Sequence, residues 1–387
     1  MLKMKSKMKI GIDARGLHWP GVGRYIQELI HSLAEVDERN HYVIYFSSND
    51  ELESNKFSNQ NFESVVLPVP CMSVKEQFLL PLKLLKDKLD LFHATCFVTP
   101  VIHHCPLIVT IHDLQLRVNR DWFPPLRGIR KYSARGYYDF MNWNAITYSR
   151  KIMTVSNHTR KEILHYFPKI DHKLTVIYHG VNSSFYPVRS MDVISRVKEK
   201  YNIQGKYILF VGTLNKRKNL SRLIRAFSEL QGVLRNEYKL VVAAKIDYRY
   251  PEPIHLTEQL GMNDQVLFIG YVPAEDLPAL YSGSCLCVIP TVHESFCFPV
   301  VEAMACGVPV ITSNVTSLPE IAGDAAHLID PYNIEGMKDA IPKVLFNPSI
   351  RNELIEKGLS RAKRFSWRTA AERVVGIYEE VLRNKSF

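Results

Sequence analysis

Two glutamates with seven residues between them are the first candidates for chemistry in this chain. Glu294-Ser295-Phe296-Cys297-Phe298-Pro299-Val300-Val301-Glu302 follows an apolar run, Cys285–Pro290, and leads into Ala303-Met304-Ala305-Cys306-Gly307. Pro299 suits the first turn of a helix and Gly307 its C-terminal cap. Backbone N–H groups near Phe296, Cys297 and Phe298 then lie at a helix N-terminus beyond a strand end, which is a ready anion site. Carboxylates beside an anion site make sense with a ligand rich in hydroxyls, such as a sugar or a ribose. Read as plain structure, Glu302 is a helix residue and Glu294 a loop charge.

A second cluster is Gly212-Thr213-Leu214-Asn215-Lys216-Arg217-Lys218-Asn219, which also ends a strand and opens a helical pattern. Arg217 and Lys218 can neutralise a diphosphate through charge-assisted hydrogen bonds; the plainer reading is a basic turn. Earlier in the chain, Pro20-Gly21-Val22-Gly23-Arg24-Tyr25 is a glycine turn entering a helix. The dinucleotide fingerprint needs a third glycine where Ile26 stands, so a hydride-transfer cofactor is disfavoured. Bare backbone at Gly21 and Gly23 still permits close approach of a phosphate or sugar. His112-Asp113 ends an apolar run, as do Ser156-Asn157-His158-Thr159 and His179-Gly180-Val181-Asn182.

Other chemistries lack their residues. No Asp-x-Asp pair occurs for clamping a diphosphate through a divalent metal, and neither a Walker lysine motif nor a Gly-x-Ser-x-Gly elbow is found. Cys285, Cys287, Cys297 and Cys306 lie near one another in sequence without the paired spacing of zinc knuckles. The expectation is therefore no metal and no cofactor. Seven scattered cysteines and no apolar signal core point to a reduced, cytoplasmic protein.

The elements that must position these residues are alternating strands and helices. The 387 residues suggest two domains, and 46% hydrophobic with 23% charged residues is ordinary globular composition. Strands are expected at 9–13, 42–47, 64–69, 89–94, 107–112, 152–155 and 174–178, then at 207–211, 240–244, 266–269, 285–290 and 309–312. Most are Val/Ile-rich without a period of two, as in parallel strands buried on both faces. Helical spacing connects them, as in Ile26, Leu29, Ile30 and Leu33, or Leu220, Leu223, Ile224 and Phe227. The fold class is α/β, with a doubly wound sheet occurring twice. The division falls at 1–187 and 188–387, and the amphipathic last helix, 370–382, suits either domain.

Charge is uneven. The net charge is +10, and residues 1–186 carry 24 Lys and Arg against 17 Asp and Glu. The excess gathers between Arg117 and Lys161, including Arg127, Arg130, Lys131, Arg135, Arg150 and Lys151. A basic face meets anionic lipid, a phosphorylated substrate or nucleic acid, or is simply a solvated surface. The stretch 78–86 is amphipathic and suits the inner membrane surface.

The order and spacing of these motifs resemble glycosyltransferase family 4. The residues that carry the resemblance are Glu294 to Glu302 with Ala-Met-Ala-Cys-Gly-Val-Pro-Val-Ile after them, Gly21–Gly23, His112-Asp113, His179-Gly180-Val181-Asn182, Gly212–Asn219, Ser317-Leu318-Pro319-Glu320 and Phe365-Ser366-Trp367. The resemblance spans nearly the whole chain. It implies a GT-B fold, two Rossmann-like domains facing a central cleft, and metal-independent transfer from a nucleotide sugar with retention of configuration. It gives Glu302 to the ribose hydroxyls, Glu294 and His112 to the sugar, and Arg217 and Lys218 to the diphosphate. Gly21 and Gly23 then pass close to the diphosphate, Gly212 belongs to the donor site, and the backbone at Phe296, Cys297 and Phe298 contacts sugar and phosphate. The family usually has glycine where Cys297 stands, which puts local geometry in question. Within the family the chain looks most like the bacterial mannosyltransferase branch. GDP-mannose is the expected donor and a glycan or lipid-linked glycan the acceptor, in polysaccharide biosynthesis, with no nucleic acid as partner. The alternatives are a UDP-sugar or dTDP-rhamnose donor, or a sugar-nucleotide epimerase of the same architecture.

Overall fold

The computed structural model describes residues 7–55, 57, 59–119, 129–234, 237–247 and 249–383. The opening residues 1–6 and Arg127 of the basic stretch lie outside the described residues. The chain divides into two units, Met1–Gly180 with Ser366–Phe387, and Val181–Phe365.

The first unit is built on β1 (Lys9–Asp13), β2 (His41–Phe46), β3 (Phe62–Val66), β4 (Leu91–Ala94), β5 (Leu107–Ile111), β6 (Lys151–Thr154) and β7 (Leu174–Val176). They form one seven-stranded sheet in the order β3-β2-β1-β4-β5-β6-β7. All pairings are parallel. The strands read as unbroken apolar runs because helices cover both faces: every residue of β4 and β5 is buried. Strand order reverses between β1 and β4, so the loops after these strands open the crevice where such sheets bind ligands.

The second unit repeats the plan with β8 (Lys206–Thr213), β9 (Tyr238–Lys245), β10 (Val266–Phe268), β11 (Leu286–Ile289), β12 (Val310–Ser313) and β13 (His327–Ile329). Their order is β10-β9-β8-β11-β12-β13, again parallel throughout. Here the order reverses between β8 and β11. The helix Leu220–Glu229 buries Leu220, Leu223, Ile224, Ala226 and Phe227 against this sheet. That three-and-four spacing is the stripe visible in the sequence. Loss of Phe227 from the stripe removes about 3–5 kcal/mol of transfer and cavity energy.

Each sequence-expected strand has a counterpart, β1 with the expected ends and the others with shifted ends, and β13 is additional. Cys285 falls just before β11 rather than within it. The helix Met191–Lys200 covers the charged segment after Pro187. The last helix, Trp367–Arg383, buries Trp367, Ala370, Ala371, Val374, Ile377, Tyr378 and Val381, and packs on the helix Val22–Val36 of the first unit.

Buried polar bonds fix this packing. Tyr378 Oη lies 2.7 Å from His93 Nδ1 in β4, His93 Nε2 lies 2.9 Å from Thr110 Oγ1 in β5, and Thr110 meets Tyr25 Oη at 2.8 Å. Burial, with a smaller effect of His112, pushes the His93 imidazole down to about 3, so it stays neutral inside the unit.

Candidate active site

In the second unit the candidate residues gather at the C-terminal ends of β8 and β11, where the strand order reverses. The chain leaves β8 through Leu214 and a short 3-10 turn, Lys216–Lys218, capped by Asn215, whose Oδ1 accepts the Lys218 N–H at 3.3 Å. Asn219 follows at φ 61° and serves as a clamp. Its Nδ2 donates to the carbonyls of Pro290 at 2.9 Å and Pro331 at 2.7 Å, tying the loops after β8, β11 and β13 together. Val292 N–H also donates to the Arg217 carbonyl at 2.8 Å.

These ties bring Arg217 and Lys218 to Glu294 across more than seventy residues of sequence. Lys218 Nζ lies 2.5 Å from Glu294 Oε1, and Arg217 Nη1 lies 3.5 Å from Glu294 Oε2. Arg217 also donates to the His293 carbonyl at 3.2 Å. Glu294 is held at its backbone too: its N–H donates to Thr316 Oγ1 at 3.1 Å and its carbonyl accepts from Ser317 Oγ at 2.9 Å. Burial raises the Glu294 carboxyl pKa, but the charges of Lys218 and Arg217 outweigh it and hold the group below the ordinary glutamate range. The carboxylate is therefore ionised. The cluster of two cations and one anion keeps a net positive charge beside the loop.

The helix Phe298–Ala305 starts at this cluster. Its N-cap, Cys297, has φ 77° and ψ 75°, in the left-handed region where glycine is favoured. Pro299 occupies the second helical position, where its missing N–H costs nothing. The helix stops as the sequence indicates: Gly307 has φ 71°, its N–H reaches the Met304 carbonyl, and Val308 N–H reaches that of Ala303. This pair of bonds is a Schellman cap. Phe296 packs edge-on to both Phe298 and Phe365, which fixes the entry to the helix. Glu302, on the inward side and 1% exposed, accepts from Tyr281 Oη at 2.9 Å. Burial first, and then Glu302, push the Tyr281 phenol pKa up, so it remains a donor.

Gly212 is the seventh residue of β8 rather than part of the loop. A Cβ there would make ordinary contacts with Phe210 and with Cδ of Lys218 at 3.7 Å. The protein itself therefore does not demand glycine at this position.

The first unit has its own cluster at the ends of β1 and β5. Gly21 caps the helix Val22–Val36 at φ 78°. Gly23 is required by packing, since a Cβ would sit 1.8 Å from the Leu17 carbonyl oxygen. His112 follows β5 and donates Nε2–H to the Thr95 carbonyl at 2.9 Å, which leaves Nδ1 as the acceptor. Burial lowers its pKa to about 4 against a smaller opposing effect of Thr95, so the ring is neutral near pH 7. His112 packs edge-on to Tyr25 at 4.7 Å, and His179 stacks on Trp367 at 5.4 Å. Gly180 is glycine because a Cβ would meet the Trp367 backbone N at 2.2 Å.

Sequence reasoning missed the group at the C-terminal end of β1. Arg15, 0% exposed, reaches Asp13 Oδ2 at 2.6 Å, Glu76 Oε1 at 2.5 Å and the Val69 carbonyl at 3.2 Å. The two-residue spacing of Asp13 and Arg15 was the available signal, but Glu76 is too distant in sequence to be paired by pattern. Thr291 and Thr316, which brace Glu294, were likewise without a local signature, and Ser317 had one only as part of the Ser317–Glu320 motif.

Comparison with known proteins places this geometry. Residues 193–361 match the family model for glycosyl transferases group 1, and residues 19–185 match that for glycosyltransferase family 4. The chain is 29% identical over 390 residues to O-antigen chain mannosyltransferase B of Escherichia coli, covering 96% of this chain and 100% of that protein. It is 28% identical over 280 residues to the serotype-specific mannosyltransferase WbdA of Escherichia coli, covering 72% of this chain but only 34% of that longer protein. Among solved structures, HepE of Anabaena, in complex with UDP and glucose, superposes with a TM-score of 0.77 at 16% identity, over 96% of this chain and 100% of that one. Sucrose-phosphate synthase from Thermosynechococcus elongatus gives 0.76 at 18% identity, over 97% of this chain and 100% of that one. These likenesses identify the paired Rossmann-like domains as those of the GT-B glycosyltransferases. With both halves matched in order by the two family models, the chain is a glycosyltransferase and belongs to glycosyltransferase family 4.

Proposed function

We propose that the chain moves a hexose from a nucleotide-sugar donor, GDP-mannose, to a glycan or lipid-linked glycan acceptor with retention of configuration. The observation that carries this reading is the Arg217–Lys218–Glu294 cluster at the β8–β11 strand ends, net positive and braced from three loops. A diphosphate suits the two cations, whose hydrogen bonds to phosphate oxygens strengthen as the leaving group gains charge. Glu294, ionised and fixed beside them, faces the sugar. Glu302 with Tyr281 serves the ribose hydroxyls. The backbone at Phe296, Cys297 and Phe298 serves sugar and phosphate at the helix N-terminus. On the first unit, Gly21, Gly23 and the neutral His112 act toward diphosphate and sugar. The acceptor hydroxyl attacks from the face that the phosphate leaves, and a departing phosphate oxygen takes its proton. Protein cations supply the charge neutralisation, so no metal or cofactor is called for.

Mannose is supported by the names of the two Escherichia coli relatives, both mannosyltransferases. A second reading, a UDP-sugar donor, is favoured by the UDP and glucose held by the structural neighbour from Anabaena. The enzyme works at the cytoplasmic face, in peripheral contact with the membrane when its acceptor is lipid-linked.

Isothermal titration with GDP, UDP and dTDP, followed by transfer assays in EDTA, tests the reading. GDP is expected to bind at least tenfold tighter than the others, a difference of about 1.4 kcal/mol, and turnover is expected to survive chelation. Tighter UDP or dTDP binding overturns the mannose assignment, and metal-reversible loss of turnover overturns the cationic mechanism.

A further inference from the structure

We propose that the outward face of the helix Glu76–Asp87, together with an exposed aromatic cluster on the helix Ile129–Tyr148, docks the first unit onto an anionic phospholipid bilayer. The inference rests on the proposed peripheral membrane contact and gives it a surface.

A helix on the outside of a sheet normally buries one apolar stripe and shows a polar face to solvent. The helix Glu76–Asp87 buries Leu80, Pro81 and Leu84. Its other face is apolar as well. Phe78 is 67% exposed, Leu82 63% and Leu85 50%, and Val74, just before the helix, is 70% exposed. These four lie four, four and three residues apart, so they form one continuous outward stripe. Leaving such a stripe in water is unfavourable, and a contiguous apolar patch rimmed by charge marks an interaction site.

The rim has one sign. Lys75, Lys86 and Lys88 are exposed. The acidic groups of the same segment turn away: Glu76 is buried against Arg15, and Asp87 is engaged by Lys83 at 2.7 Å and by Tyr45 Oη at 2.6 Å. An apolar strip with outward lysines at its ends complements an anionic surface whose interior is hydrocarbon.

A second element reaches the same place. Gln77 Nε2 donates to the Thr99 carbonyl and its Oε1 accepts the Val101 N–H, while Asn144 Nδ2 donates to Thr99 Oγ1. These bonds bring the exposed Ile102 and the helix Ile129–Tyr148 beside the first turn of Glu76–Asp87. That helix exposes Phe140, Trp143 and Tyr148 in a continuous series, the first pair of rings tilted and the second T-shaped, with centroids 5.9 and 5.5 Å apart. Trp and Tyr rings settle at headgroup level, where one edge is apolar and the other wet. Among the described residues, no helix is long and apolar enough to cross a membrane, so the geometry is that of a surface lying on the interface.

The test uses the full chain with vesicles of phosphatidylethanolamine and phosphatidylglycerol, and with phosphatidylcholine vesicles for comparison. The wild type is expected to float with anionic vesicles and to be released by salt. Phe78→Ser with Leu82→Ser should lower partitioning about tenfold or more. Lys75→Glu with Lys86→Glu and Lys88→Glu should abolish the preference for anionic lipid. These positions are exposed, so thermal unfolding of both variants should match wild type. Leu82→Trp provides a folded probe, and its fluorescence, read as the difference from wild type, should shift to the blue on adding anionic vesicles only. Unchanged flotation of both variants, or no shift of the signal from the introduced tryptophan, overturns the docking surface. Concentration-dependent dimerisation that Phe78→Ser abolishes overturns it in favour of a second copy of the chain. Transfer to a water-soluble acceptor, measured in parallel without vesicles, should be equal in wild type and variants. Its absence in all of them counts against the proposed transferase reading instead of the surface.

Discussion

Two cations against one carboxylate make the Arg217–Lys218–Glu294 cluster sensitive to loss of either charge. Without Lys218, the 6% exposed Glu294 keeps its burial but loses its nearest counter-ion. In the wild type its native pKa is depressed, so the pair stabilises the fold fully above the ordinary value of 4.5 and loses that contribution as pH falls through the lower native value. In Lys218→Met burial prevails and the pKa rises, so the variant carries a poorly compensated charge at neutral pH. A destabilisation of about 3 kcal/mol is expected near pH 7, shrinking as both proteins become protonated on acidification. Urea unfolding across that range checks it; equal destabilisation at every pH would show that the charge pair is not responsible. Donor use should fall in parallel in Arg217→Ala, which keeps Lys218 bound to Glu294, by the roughly 1.5–3 kcal/mol of a charge-assisted contact. Cys297 makes a different demand. A non-glycine residue in the left-handed region costs about 1–2 kcal/mol, and its φ is 77°. Cys297→Gly should therefore stabilise the protein by up to about 1 kcal/mol after the greater unfolded-state entropy of glycine is counted. A clear loss of stability would mean that the buried thiol's packing outweighs the backbone strain.

At the scale of elements, the last helix is held by chemistry as well as by apolar area. Tyr378 is fully buried and joins His93, Thr110 and Tyr25 in one hydrogen-bonded chain. Tyr378→Phe keeps the ring and leaves His93 Nδ1 without that partner. It should cost about 1–3 kcal/mol, read as a lower urea midpoint with unchanged slope. No change would remove the polar chain from the account of the helix. The sequence indicated the helix but left its destination open, since an amphipathic stripe names no partner. The strands were legible because parallel sheets need unbroken apolar runs, and the helix after Glu294 because Pro299 and Gly307 punctuate it. β13 was not, because His327–Ile329 is three residues at a sheet edge and too short for periodicity to register. The Asp13–Arg15–Glu76 group and the grip of Lys218 on Glu294 stayed hidden for another reason. The Arg15–Glu76 and Lys218–Glu294 pairings span long sequence separations and are made only once the strand order is known. The left-handed Cys297 had a faint signal in the departure from glycine at that position.

At the scale of the molecule, the two units differ in how the chain composes them. The first needs two separate stretches, Met1–Gly180 and Ser366–Phe387, while the second is one continuous stretch, Val181–Phe365. The second also has its own core, which runs through the sheet and its covering helices from Ile208 to Leu354. Arg217, Lys218, Glu294, Tyr281 and Glu302 all fall within this second unit. If donor recognition is concentrated there, a fragment of residues 181–365 should unfold cooperatively and bind the nucleotide within about tenfold of the full chain, a difference of about 1.4 kcal/mol. It should transfer no sugar, because the proposed acceptor side and His112 are missing. Calorimetric unfolding establishes whether the fragment is folded, and titration with the preferred nucleoside diphosphate then reads the site alone. A fragment that unfolds cooperatively yet binds the nucleotide a hundredfold more weakly would assign about 2.7 kcal/mol of the affinity to the first unit. That share would then fall to the groups proposed on the first unit, Gly21 and Gly23 toward the diphosphate and His112 toward the sugar.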